Sequence, residues 1–162
     1  MLEKQNQWMA TAEVTQVFNR YFRALDEKNF ELAHLQLIFT PNAEVIRPNG
    51  AAMVGPERIG KSHKESFDRF RGTQHLLIGH EVTIDGEQAT VRANLVAMHL
   101  WANGSSDVNS TENYFLAGSV ITAQLLNTPE GWRISRMESH VVWRGGAFRN
   151  MLQTGNEIGG GG

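Results

Sequence analysis

The spacing of apolar residues divides the chain into a helical first part and a strand-rich second part. From Thr11 onward, Val14, Val17, Phe18, Tyr21, Phe22 and Leu25 recur at three- and four-residue steps. This period predicts an amphipathic helix with Thr11 as its N-cap, preceded by a loose lead-in over residues 1–10. A second short helix is predicted over 30–39, where Leu32, Leu35, Ile38 and Phe39 are apolar and Pro41-Asn42 is the stop. Residues 43–47 read as a short strand ending at Pro48-Asn49-Gly50. Gly55-Pro56-Glu57 opens a third helix with Pro56 in its first turn. Ile59, His63, Phe67 and Phe70 share one of its faces, and Gly72 ends it. Four long strands follow, over 73–84, 88–101, 112–126 and 132–143. Asp85-Gly86 marks a hairpin between the first two. Gly145-Gly146 breaks the last strand, and the tail, which closes in four glycines, is expected to be disordered.

Helices followed by a strand meander predict an α+β fold rather than alternating βαβ units. No internal repeat or linker interrupts the pattern, so one domain over 1–145 is expected, with 146–162 as a tail. A strongly curved sheet wrapped around the first helices uses every predicted element, and its concave face makes a central apolar pocket.

Composition narrows the function classes. The 162 residues are 41% apolar and 20% charged, with a formal charge of -2. No basic block is present, which argues against nucleic acid as a partner. There is no cysteine, so thiolate chemistry and disulfides are excluded. The N-terminus lacks a basic start followed by an apolar run, and no apolar stretch is long enough to span a bilayer. The expected location is cytoplasmic, with no membrane partner.

Several polar residues fall on apolar faces. Asp26 lies four residues after Phe22 and eight after Phe18, on the buried stripe of the first helix. It either caps the turn Asp26-Glu27-Lys28-Asn29 or is a buried carboxylate that needs a partner. His99 continues the row Val91, Ala93, Leu95, Ala97, as a bonded core histidine or a site residue. His75 opens a strand whose two sides are both apolar, so its direction is open. Ser119 shares a face with Phe115, Ala117, Ile121, Ala123 and Leu125, as a core hydroxyl or a substrate contact. Trp101, Trp132 and Trp143 fit core or pocket wall. His34 and His63 read as helix-surface or packing residues. His75, His80, His99 and His140 lack a short ligand spacing, and no metal site or cofactor is expected. Neither a Gly-rich phosphate loop nor a G-x-S-x-G turn occurs.

Over about residues 12–145 the chain resembles the NTF2-like superfamily, in its SnoaL-like branch, and scytalone dehydratase in particular. Leu25-Asp26-Glu27-Lys28-Asn29-Phe30 resembles the end of that enzyme's first helix, and Thr73-Gln74-His75 matches its Thr-Gln-His. Ala97-Met98-His99 falls at its second active-site histidine. Gly131-Trp132-Arg133 and Val141-Val142-Trp143 fit its last strand. The resemblance implies a cone-shaped fold and an Asp26–His75 pair, with His99 as the second histidine and Ser119 as a substrate contact. Hexachlorocyclohexane dehydrochlorinase is similar in the same pair. The chain also departs from that enzyme. Leu25 and Arg47 stand where the dehydratase has two tyrosines, and Ile121 replaces an asparagine, so scytalone itself is not the expected substrate.

The resulting expectation is general acid–base chemistry on a small, apolar, cyclic hydroxy or keto compound: dehydration, isomerisation or cyclisation. His75 would be the base, since a neutral imidazole accepts a proton near pH 7. Asp26 would fix its tautomer, and His99 would donate to a leaving hydroxyl or a developing enolate. Arg47, Tyr114 and Trp143 join Ser119 as expected substrate contacts. The alternative is a non-catalytic ligand-binding or accessory subunit, since one fold hosts both uses. The outer strand faces (Val96, Met98, Leu100; Leu116, Val120) are apolar enough to suggest a homodimer or homotrimer.

Overall fold

The computed structural model describes residues 1–149. The disorder expected of the tail falls on 150–162, outside the described residues. The first helix, α1 (Leu2–Asp26), starts well before Thr11. Its early turns are exposed and rich in good helix formers, so they carry no apolar period to read. Thr11 is therefore internal, and its hydroxyl donates to the Gln7 carbonyl at 2.8 Å. The predicted stripe is buried, with Val14 and Phe18 fully enclosed. Each such side chain contributes about 1.5–3 kcal/mol of burial free energy.

The predicted second helix shrinks to a single turn, α2 (Leu32–Leu35). Strand pairing claims the residues beyond it. The Ile38 carbonyl accepts from the Ile134 N–H at 2.7 Å, and β1 runs from Phe39 to Ile46. Pro41 does not stop this strand. It sits where the register with the partner strand shifts, between Phe39 and Glu44, so its missing N–H is tolerated there. A strand too short to show a period, β2 (Ala52–Val54), pairs antiparallel with β1. Helix α3 (Pro56–Phe67) follows Gly55 at φ 84°, and Phe70 belongs to the next strand rather than to this helix.

The remaining strands are β3 (Phe70–Asp85), β4 (Gln88–Trp101), β5 (Tyr114–Thr128) and β6 (Gly131–Gly146). They form one mixed sheet in the order β2-β1-β6-β5-β4-β3. Among the described residues, only the β1–β6 pair is parallel. Bulges bend it. One lies between Ile78 and Glu81 of β3, where Gly79 takes φ 66°. Another leaves Val142 of β6 unpaired, between the Gly118–Trp143 and Ser119–Val141 pairs. The curved sheet closes around α1. One end is filled by large side chains, among them Leu125, Trp132 and Ile134. The architecture is the expected α+β cone. No helix among the described residues is long and apolar enough to cross a membrane.

Candidate active site

The other end of the cone is hollow. Ala97 on β4, Ala117 and Ser119 on β5 and Ser139 on β6 all point inward and are too small to meet the helices opposite. A cavity of about 240 Å³ remains between this face, the C-terminal turns of α1 and the inner side of α3.

Asp26 ends α1 and His75 lies near the start of β3. Their side chains meet, with His75 Nδ1 2.6 Å from Asp26 Oδ1. Thr73 donates its hydroxyl to the same oxygen at 2.8 Å, and the backbone N–H of His75 donates to Oδ2 at 3.0 Å. Burial opposes ionisation of Asp26, but these bonds from His75 and Thr73 outweigh it and hold the carboxyl below its usual range. An ionised carboxylate only accepts, so Nδ1 carries a proton, and in the neutral ring the lone pair lies on Nε2. The His75 side chain is 5% exposed, borders the cavity and stands edge-on to His99, with ring centroids 5.6 Å apart.

His99 lies flat against Phe115, with ring centroids at 4.0 Å. Burial, aided by the neighbouring His75, lowers its pKa to about 3, so the ring is neutral near pH 7. Its Nδ1 is buried without a partner. Ser119 is buried and also faces the cavity.

Arg47 follows β1 and reaches into the cavity wall. Its Nη2 donates to the Ser62 carbonyl and hydroxyl and to the Ser66 hydroxyl, at 3.2, 2.8 and 3.0 Å. Two further polar residues join this wall: Tyr21 and His63, whose hydroxyl and Nε2 are hydrogen-bonded at 2.9 Å. Burial raises the Tyr21 pKa. It lowers that of His63 to about 3, with help from Arg47 and His75. Sequence reasoning assigned His63 to the helix surface or to packing. Its place four residues after Ile59 and four before Phe67 was the signal that it faces inward.

Tyr114 and Trp143 do not line the cavity. Tyr114 precedes the inward Phe115 and so faces the other side of the sheet. Trp143 would point inward in an unbroken strand. The extra residue Val142 reverses the alternation, placing Trp143 over Gly118 on the outer face and bringing the exposed Arg144, stacked on Phe148, to the cavity rim.

A larger groove, about 1020 Å³, lies between α2, α3 and the β5–β6 turn, but none of Asp26, His75, His99 or Ser119 borders it. Among the described residues, no group of three or more His, Asp or Glu side chains converges as metal ligands would.

A helix-lined curved sheet enclosing a small apolar cavity defines an NTF2-like protein. The SnoaL-like domain family matches residues 7–138, and the chain belongs to that family. No curated protein sequence matches it. A solved protein from Kribbella flavida is 26% identical, with a TM-score of 0.77, covering 85% of this chain and 94% of its own. A scytalone dehydratase candidate from Novosphingobium aromaticivorans is 16% identical, with a TM-score of 0.73 and coverage of 91% and 92%. Hexachlorocyclohexane dehydrochlorinase from Novosphingobium barchaimii is 11% identical, with a TM-score of 0.74 and coverage of 89% and 94%. At these last two identities the likeness is one of fold.

Proposed function

We propose that this protein is an acid–base enzyme that works with its own side chains, removing a proton next to a carbonyl of a small ring compound. Loss of water or rearrangement would follow. The observation that carries the reading is the 2.6 Å contact between His75 Nδ1 and Asp26 Oδ1, which leaves a basic Nε2 on a ring that borders the cavity. His75 takes the proton through Nε2, and Asp26 stabilises the imidazolium that forms. Neutral His99 acts as an N–H donor to the developing enolate oxygen rather than as a cationic acid, since burial disfavours its charged form. Ser119 contributes a hydroxyl to substrate positioning. The fold shared with a dehydratase candidate and a dehydrochlorinase supports a lyase or isomerase.

The first step is measurable before the natural substrate is known. Wild-type protein should catalyse deuterium exchange from D2O into the carbon next to the carbonyl of cyclic hydroxy-ketones, followed by NMR. His75→Ala and Asp26→Asn should each slow exchange by about 10²–10⁴ with unchanged circular dichroism. Variants within about threefold of wild type, or no exchange by wild type across the panel, would leave a binding role only.

A further inference from the structure

The cavity is bordered by two guanidinium groups, Arg47 and Arg144, and by no carboxylate. Asp26 does not offset them from within. It lies behind His75, bordering a separate surface hollow with Arg23 and Glu27, and three hydrogen bonds engage its charge.

Arg47 is the more enclosed cation. Its three acceptors, on Ser62 and Ser66, are all neutral and all use Nη2. Among the described residues, no carboxylate comes within ion-pair distance of Arg47, and no hydrogen bond engages its Nε or Nη1. The charged groups that act on it at longer range are Glu65, which attracts, and Arg58 and Arg69, which repel. A guanidinium does not shed its proton in a protein, so the imbalance stays. A partly buried cation without a counter-ion is costly unless something else supplies the negative charge.

The neighbouring groups point the same way. Tyr21 and His63 are both held neutral by burial, so they cannot supply that charge at pH 7. His63 Nδ1 is buried and has no partner in the protein. This wall thus offers hydrogen-bonding capacity and positive charge with no anion to take it up.

We propose that the cavity selects a small ring-bearing organic acid whose carboxylate pairs with Arg47 while its ring lies along Phe67 toward His75. The proposal rests on the reading of His75 as the base, because anchoring the acid group determines which C–H meets Nε2. Phe67 stands between the two poles, its ring centroid 6.0 Å from His63 and 6.2 Å from His75. The size agrees: a cavity of ~150 Å³ accepts benzene, so about 240 Å³ holds one ring with a short acidic substituent. A carboxylate on the free Nη1 or Nε of Arg47 makes a charge-assisted hydrogen bond.

The test uses the intact protein, titration calorimetry at pH 7, and two probes of the same shape, cinnamate and the neutral cinnamamide. Wild type should bind cinnamate about tenfold or more tightly than cinnamamide, the scale of one good charge-assisted contact. Arg47→Gln should bring the ratio to about one. Arg47→Lys keeps the charge but not the planar spread of N–H donors that bonds Ser62, Ser66 and the ligand together, and should give an intermediate ratio, which also serves if the glutamine variant does not fold. Equal affinities in wild type, no binding of either probe, or a preference that survives Arg47→Gln overturns the proposal. The ratio is read without turnover. Its absence alongside intact ketone exchange therefore sinks the acid ligand and spares the base, and the opposite result does the reverse.

Discussion

The two polar walls of the cavity are built on different principles. On the wall of Asp26, Thr73 and His75, each charge meets its partner inside the protein: one carboxylate takes three hydrogen bonds and fixes one imidazole. On the wall of Tyr21, Arg47 and His63, two ionisable groups are held neutral, and a guanidinium faces only hydroxyls and a carbonyl. The first arrangement is complete and poised for proton transfer. The second is complete only when something enters. One cavity thus separates chemistry from recognition, and the Phe67 ring lies between them.

Acid is the strongest way to break this contrast. His63 and His99 have folded pKa values near 3, well below the ordinary 6.5. Between those limits the unfolded chain binds more protons than the native one, so stability rises with pH across this window and levels off above about 6.5. Asp26 behaves otherwise. Its depressed carboxyl stabilises the fold above the ordinary 3.8, and that contribution is lost only as pH falls further, through its folded value. Urea unfolding at a series of pH values should therefore show loss beginning below about pH 6.5, and His63→Gln should reduce the slope by about one proton. An unchanged slope would mean that His63 is not held neutral.

Smaller effects separate the walls by single bonds. Tyr21→Phe strands the second nitrogen of His63 in the core and should cost about 1–3 kcal/mol in urea unfolding. Thr73→Val removes one of three bonds to a carboxylate that is 26% exposed, and should cost only about 0.5–1.5 kcal/mol. Equal losses from the two substitutions would erase the distinction drawn between the walls.

Much of this could be read from the chain. The three- and four-residue period marked the buried stripe of α1 and put Asp26 on it, because helix geometry leaves no other face for that position. Strict alternation along β4 and β5 turned His99 and Ser119 inward. What stayed hidden had physical causes. His75 lies where both strand sides are apolar, so only the resemblance singled it out, and only coordinates could show the Asp26 contact. The exposed start of α1 left no apolar trace. Tyr114 was assigned to the pocket against its own alternation, beside an inward Phe115. Trp143 was misplaced for a subtler reason: an unpaired residue cannot be seen in a two-residue repeat.

That unpaired residue, Val142, has a consequence for how such a protein could change its ligand. Upstream of it, Met137, Ser139 and Val141 face the hollow; downstream, the parity flips and Arg144 takes their place. Losing that codon would leave Val141 followed directly by Trp143, with the indole still outside, Arg144 still on the cavity side and the helices untouched. Pairing Val142 with Gly118 at constant length would instead carry the indole into the chamber, so the extra residue alone decides which side chain meets the ligand.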